Sequence, residues 1–354
     1  MSSRVDLRAL EEEARERLEP GAYAFVAGGA GDERTVAWNE EAWARVSLRP
    51  RILADVAEVA TGTMVLGTEV AAPILVAPVG MARLVHDEGE AALRRAAASA
   101  GSLLVLSTRT SFPVAQIAEA ADGPWWFQVY VLRDRGLTRE LVERALDGGA
   151  AALVLTGDTP LVGSKPRAAR HPLEIPDDVF MPGLSRPDGG PIGEYPGAEQ
   201  DPAVTFEDVA WLAELAPDVP LVVKGVLRPD DAELAVEAGA AAVVVSNHGG
   251  RQLDGALPTA VALPEVAGAV RGRCEIYVDG GIRRGTDVLR ALALGARAVL
   301  VGRPVVWGLA TGGEEGARSV LETLTLETAE ALALAGARSP AEVGNDLVQP
   351  MWQS

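Results

Sequence analysis

Cysteine is nearly absent from this chain of 354 residues: Cys274 stands alone. A disulfide within the chain is therefore impossible, and a cysteine-built metal site is not expected. Histidine is also scarce, at three residues. Basic residues are outnumbered, 32 Lys and Arg against 50 Asp and Glu, for a net charge of -18. That balance excludes a nucleic-acid binder, because no basic surplus exists to displace phosphate counterions. Long apolar runs are missing too, and none reaches the roughly 20 residues that span a bilayer. The opening stretch "MSSRVDLRALEEEARERLEP" is charged throughout and lacks the apolar core of a secretory signal. No membrane contact is expected, and a cytoplasmic location is.

What the chain does have is a core, with 48% hydrophobic residues. Short apolar runs recur along it: "ILVAP" (74–78), "LLVLST" (103–108), "WFQVY" (126–130), "LVLTGD" (153–158), "LVVKG" (221–225), "VVVSN" (243–247), "IYVDGG" (276–281) and "VLVGRP" (299–304). Runs apolar on both faces suit strands of a parallel sheet covered by helices. Most are followed by helical patterns ending in Gly, such as "LTRELVERALDGG" and "GTDVLRALALG". "GAAALVLTGD", "GAAAVVVSNH" and "GARAVLVGR" look like copies of one unit. Eight strand–helix units predict an α/β fold, a (β/α)₈ TIM barrel, forming a single domain over residues 1–354. Residues 1–72 read as an N-terminal helical segment. Residues 159–204 carry nine prolines without periodicity and read as a long loop after strand 4, placed as a lid over the active site.

Barrel active sites lie at the C-terminal ends of the strands, and polar residues collect there. They are Ser107, Gln128, Tyr130, Thr156, Asp158, Lys224, Ser246, His248 and Asp279. "DGGIRRG" (279–285) and "GRP" (302–304) follow strands 7 and 8, where many barrels hold a phosphate on backbone N–H groups and arginines. His248 is the best general-base candidate, since imidazole titrates near neutrality, and Asp158 could orient it. Arg251 could grip a carboxylate. Lys224 has two chemical readings: a Schiff-base lysine, as in barrel aldolases, or a cation beside a ligand that gathers negative charge. His86, before an acidic helix start, and His171, in the proline-rich segment, are weaker candidates.

The strings "SNHGGRQLDG", "LTGDTP", "VKGV", "VDGGIRRGTDV", "ALALGARAVLVGRP" and "FQVY" resemble the FMN-dependent 2-hydroxy acid oxidases and dehydrogenases. That group includes glycolate oxidase, lactate oxidase and mandelate dehydrogenase. The resemblance implies FMN as cofactor and no metal. It also implies oxidation of a 2-hydroxy acid, a hydride equivalent passing to flavin N5 and oxygen or another acceptor closing the cycle. His248 would take the hydroxyl proton and Asp158 would support the imidazolium. Lys224 would face the flavin N1/C2 carbonyl, while Tyr130 would bond near the reacting oxygen and Arg251 would hold the carboxylate. The flavin would rest on Pro78, Val79 and Gly80 and bond Ser107, Gln128, Thr156 and Ser246. Its ribityl and phosphate groups would meet Asp279, Gly280, Gly281, Arg283, Gly302 and Arg303. A homotetramer is implied as well.

Four positions depart from the group's pattern. Phe25 stands where many members carry a carboxylate-binding tyrosine, with Tyr23 nearby as a structural tyrosine. Lys165 stands in place of a second arginine, with Arg167 close by. Arg109 replaces an aromatic after strand 2, and either restores a charge from the opposite wall or points to solvent. Gly80 replaces an alanine. "AFVAGGAG" is most similar to the branch oxidising mandelate-like acids, so a bulky or aryl substrate is expected. A Schiff-base aldolase using Lys224 and a non-catalytic flavin- or phosphate-binding barrel are the alternatives.

Overall fold

The computed structural model describes residues 4–182, 184 and 192–351. Eight parallel strands form its centre: β1 Ile74–Val76, β2 Val105–Ser107, β3 Trp126–Val129, β4 Ala152–Thr156, β5 Leu221–Val226, β6 Ala242–Val245, β7 Glu275–Val278 and β8 Ala298–Val301. Their hydrogen-bonded order runs β1-β8-β7-β6-β5-β4-β3-β2. A parallel bridge between Val76 and Leu104 joins the two ends of that order, so the sheet closes on itself as a TIM barrel. Each strand falls where an apolar run placed it.

Pleating explains why strands apolar on both faces still distinguish inside from outside. Successive side chains alternate across the sheet. Leu75, Val105, Trp126, Val154, Val222, Val244, Tyr277 and Leu300 belong to one core cluster, the barrel lumen. Their neighbours Val76, Leu106, Phe127, Leu153, Val223, Val243, Val278 and Val299 belong to a second cluster, under the surrounding helices. Counting two residues onward from six of the lumen positions gives Ser107, Gln128, Thr156, Lys224, Ser246 and Asp279. The same alternation that packs the lumen therefore aims a ring of polar side chains into its open end.

The helices are begun by local chemistry. Asp134 accepts from the N–H groups of Gly136 and Leu137 to start Arg135–Asp147, and Thr205 with Asp208 forms a capping box before Phe206–Leu215.

Two expectations need correction. Residues 1–72 are helical only as far as Ala44, in Ala9–Arg17, Pro20–Ala27 and Arg34–Ala44. Val46–Leu48 then pairs with Val348–Pro350, and Thr63–Val65 forms a hairpin with Thr68–Val70. "TMVLGTEV" alternates at strand period around Leu66–Gly67, both with positive φ, which is the signature of a two-residue turn. Val65 and Val70 join the lumen cluster and plug the end of the barrel opposite the polar ring. The second correction concerns 159–204, which contains a short helix at Pro166–Arg170 and 3₁₀ turns at Asp177–Val179, Ile192–Glu194 and Pro196–Ala198. Part of the expected lid, residues 183 and 185–191, lies outside the described residues.

Candidate active site

The ring of polar strand ends opens into a cleft lined by Phe25, Pro78, Val79, Gly80, Ser107, Arg109, Gln128, Tyr130, Thr156, Lys165, Lys224, His248, Arg251, Asp279, Gly280, Gly281, Arg283, Gly302 and Arg303. Asp158 and Ser246 stand directly behind this wall. Asp158 Oδ1 is 2.9 Å from His248 Nδ1. Ser246 Oγ accepts from Lys224 Nζ at 2.9 Å and from the His248 N–H at 3.0 Å. Among the described residues neither His86 nor His171 lines the cleft.

His248 departs from β6 with a positive φ of 59°, followed by Gly249 and Gly250 at 60° and 77°. A left-handed histidine costs on the order of 1 kcal/mol, and the hydrogen bond to Ser246 holds it there. A Cβ on Gly250 would come within 2.7 Å of the Val36 nitrogen, so the turn needs glycine for space as well as for φ. Burial opposes charge on Asp158, but His248 and Lys224 outweigh it and hold the carboxyl below its ordinary range. An ionised Asp158 can only accept. Nδ1 of His248 must then be the donor, which leaves Nε2 as the basic nitrogen.

Lys224 is 3% exposed and lies 3.0 Å from Asp279 Oδ2. Burial works against its charge; Asp279 and Asp158 more than compensate and hold its pKa above the ordinary value. A register shift in β5 at Lys224/Val226 accompanies Gly225, whose φ is 109°. A Cβ there would meet Asp158 Cβ at 2.6 Å, so this glycine lets the base's partner and the lysine sit side by side.

The arginines divide into two sets. Arg303 donates to the carbonyls of Val26, Gly249 and Gly28, and Arg283 pairs with Glu40 at 2.8 Å. Burial, with Arg251 and Arg283 nearby, pushes Arg303 down to about 9. Arg303 also opens the helix Arg303–Ala335, whose N-terminal N–H groups favour an anion. The second set faces the substrate side. Arg251 Nη1 donates to Phe25, Val26 and Gly28 carbonyls at 2.8, 3.1 and 2.8 Å, and its guanidinium lies 5.4 Å from the Phe25 ring centroid. That anchorage leaves the Nε/Nη2 edge for a carboxylate. Lys165 is half-buried, its amine only 3.4 Å from the Gly163 carbonyl. Burial, then Arg251 and Arg109, push it down to about 8. Arg167 is committed elsewhere, to Glu33. Arg109 stands on the cleft wall rather than in solvent, stacked on Tyr130 and Phe180. Tyr23 stacks on Trp307 and donates to Glu11, as a structural tyrosine would, and Phe25 takes the place beside Arg251.

Several contributors escaped the sequence reading. Thr159 donates to Asp158 Oδ1 at 3.1 Å, and its neighbourhood reaches Tyr130. Gln252 donates to the Asp158 and Leu161 carbonyls, tying together the loops after β4 and β6. Asn39 and Asn247 exchange two hydrogen bonds at 2.9 and 2.8 Å, and Asp254 accepts from Asp32 and Thr35 at the start of helix Arg34–Ala44. These bonds seat the N-terminal segment on the barrel mouth. The adjacency of Thr159 to Asp158 in "GDTP" and the presence of Asn247, Gln252 and Asp254 in "SNHGGRQLDG" were the available signals; their partners lie in distant stretches.

The cleft suits a flavin mononucleotide. Gln128 Oε1 accepts from Ser107 and from the Thr108 N–H, which fixes the amide and leaves Nε2 buried without a partner among the described residues. Asp279 Oδ1 is likewise buried and unpartnered. Unpaired buried polar atoms are costly; an amide donor, a carboxylate acceptor and the Arg283–Arg303 end match a ring with polar edges, a polyol and a phosphate. Fold and site thus define a flavin-dependent barrel oxidoreductase.

Comparison with known proteins places it further. A family described as FMN-dependent dehydrogenase matches residues 14–350. An L-lactate oxidase from Nostoc sp. is 46% identical over 349 residues, covering 95% of each chain. A peroxisomal (S)-2-hydroxy-acid oxidase from Oryza sativa subsp. japonica is 44% identical, covering 96% of this chain and 94% of its own. The crystal structure of mandelate oxidase with benzoyl-formic acid superposes with a TM-score of 0.89 at 42% identity, over 98% of both chains. The chain belongs to the FMN-dependent dehydrogenase family, and FMN is its cofactor.

Proposed function

We propose that this enzyme oxidises a 2-hydroxy acid to the 2-oxo acid, with oxygen as electron acceptor and hydrogen peroxide as second product. The observation that carries the reading is His248, 2.9 Å from Asp158, facing one cleft with Arg251 and Lys165. A base with an anionic orienter has work to do only if a proton is removed, and cations beside it select a substrate with a carboxylate. FMN, when bound, supplies the two-electron acceptor for the hydrogen on C2. His248 Nε2 takes the hydroxyl proton, and Asp158 stabilises the imidazolium through Nδ1. Tyr130, kept protonated by burial and by Asp158, donates toward the same oxygen. Lys224, between Asp279 and Asp158, remains an ammonium and offsets negative charge gathering over it. A Schiff-base lysine needs a lowered pKa, so the direction found at Lys224 removes the support for an aldolase.

The Phe25 ring and the Arg109–Phe180 wall favour a substrate with a bulky or aryl group, in keeping with the mandelate oxidase likeness. The oxidase relatives support oxygen as acceptor. A homotetramer and a cytoplasmic location complete the proposal. Exposed Ile52 and Leu53, at 84% and 100%, are apolar surface that a second copy would cover, and a lone cysteine suits a reducing compartment. Among the described residues no helix is long and apolar enough to cross a membrane.

The test is an anaerobic flavin-reduction screen across small, aliphatic and aryl 2-hydroxy acids, followed by air and peroxide measurement. Bleaching with stoichiometric peroxide is expected; persistent yellow colour with every acid would overturn the reading.

A further inference from the structure

A single carboxylate is served by Arg251, which follows β6 and offers a fixed guanidinium edge, and by Lys165, a second cation from the segment after β4. Arg109 is a third, and it arrives from elsewhere. It follows β2, which stands four strands from β6 around the closed barrel, so the two arginines enter from opposite walls. Among the described residues no carboxylate pairs with the Arg109 guanidinium and no carbonyl accepts its N–H groups. Its contacts are ring faces, with Cζ 5.8 Å from the Tyr130 centroid and 5.2 Å from that of Phe180. Cation–π contacts fix where a guanidinium sits without neutralising it or satisfying its donors. Buried charge without a counter-charge is costly, and burial does press the Arg109 pKa downward.

The backbone is fitted around this residue. The Arg109 carbonyl accepts from the Met81 N–H at 2.8 Å, and its own N–H donates to Ser107 Oγ at 3.2 Å. A Cβ on Gly80 would lie 3.0 Å from both the Arg109 carbonyl oxygen and its Cβ. Glycine at 80 therefore makes the space in which Arg109 turns toward the cleft. Phe180 supplies the outer wall, and Arg83 holds the segment before it, donating to the Asp178 carbonyl and carboxylate at 3.0 Å each.

We propose that Arg109 receives a second anionic group, so that the preferred substrates are 2-hydroxy acids with another carboxylate at the end remote from C2. This rests on the 2-hydroxy acid reading above. A monoanion between Arg251 and Lys165 leaves the part-buried Arg109 uncompensated, whereas a diacid spans the cleft and engages both walls. Charge-assisted hydrogen bonds in such surroundings carry about 1.5–3 kcal/mol, or roughly 10- to 150-fold in selectivity.

The holoenzyme would be assayed by anaerobic flavin reduction with two matched pairs: 2-hydroxyglutarate against 2-hydroxyhexanoate, and 4-carboxymandelate against mandelate. The expected result is a preference of about tenfold or more for the diacid in at least one pair. Arg109→Met should invert that preference, with the diacid losing kcat/KM and the monoacid gaining. Arg109→Lys should retain the preference in part, which a purely packing role would not predict. Preference for the monoacid in both pairs, or an equal loss for both members in Arg109→Met, overturns the proposal and leaves the 2-hydroxy acid reading standing. Reduction by none of the four, with FMN bound, removes both.

Discussion

Lys224 and Lys165 share a cleft, yet their surroundings push them in opposite directions. Lys224 is a strand residue, the next inward position after Val222 of β5, and two carboxylates hold its charge in place. Lys165 is a loop residue whose neighbours are Arg251 and Arg109, and its pKa falls to about 8. The difference separates two regions. The strand-end floor, with Gln128, Thr156, Lys224, Ser246 and Asp279, is positioned by barrel register, its lysine paired with Ser246 and Asp279. The rim, with Phe25 from the helix Pro20–Ala27 and Arg109, Lys165 and Arg251 from the connecting segments, carries cations waiting for an anion from outside. In the proposed function the first region serves the flavin and the second selects the substrate.

The comparison breaks most sharply at the base that joins the two regions. His248→Gln should keep FMN and lose substrate-driven flavin reduction by about 10²- to 10⁴-fold, the range of general-base catalysis. Stopped-flow absorbance reads it, and rapid reduction in the variant would refute the base assignment. Lys224→Met attacks the floor. It leaves Asp279 and Asp158 buried without their cation, and removing one partner of a buried pair costs about 3–5 kcal/mol. A fall in Tm together with weakened FMN retention is expected; an unchanged melting curve would show that the floor is not held by charge pairing.

Lys165→Ala tests the rim. It should raise KM about tenfold for any 2-hydroxy acid while kcat changes less, because the lysine binds carboxylate without touching the reacting atoms. A subtler readout is pH. The free-enzyme Lys165 is charged below about 8 and neutral above it, so kcat/KM should fall as pH rises through 8. The limb should move upward in Lys165→Arg, whose guanidinium stays protonated, and a limb that stays in place belongs to another group. Gly80→Ala should have the smallest effect. Its methyl must displace Arg109 by a few tenths of an ångström, which predicts a change of a few-fold in kcat/KM that Arg109→Met abolishes.

The floor was legible in the sequence because pleating is local. Once "LVVKG" reads as a strand, Val222 inside places Lys224 inside, and the same step from Val154 or Tyr277 finds Thr156 or Asp279. The rim was legible only as residue types. That Arg109 stacks on Phe180, or that Arg251 is braced by Phe25 and Gly28 carbonyls, depends on contacts between stretches far apart in the chain. The hairpin at 63–70 was missed for a different reason: its alternating pattern is short, three residues on each side of the turn. Asp254 was quoted with the catalytic string, yet its carboxylate serves the start of helix Arg34–Ala44.

In the proposed function a strand-fixed flavin floor and a cationic rim together oxidise a 2-hydroxy acid through His248. Mixing the oxygen-free holoenzyme with bulky, aryl and two-carboxylate 2-hydroxy acids while following flavin absorbance tests it most directly. Rapid bleaching with at least one of them is expected in the wild type, with recovery of colour in air as peroxide forms, and near-silence in His248→Gln. Bleaching at the same rate in both proteins, or in neither with any acid, would contradict it.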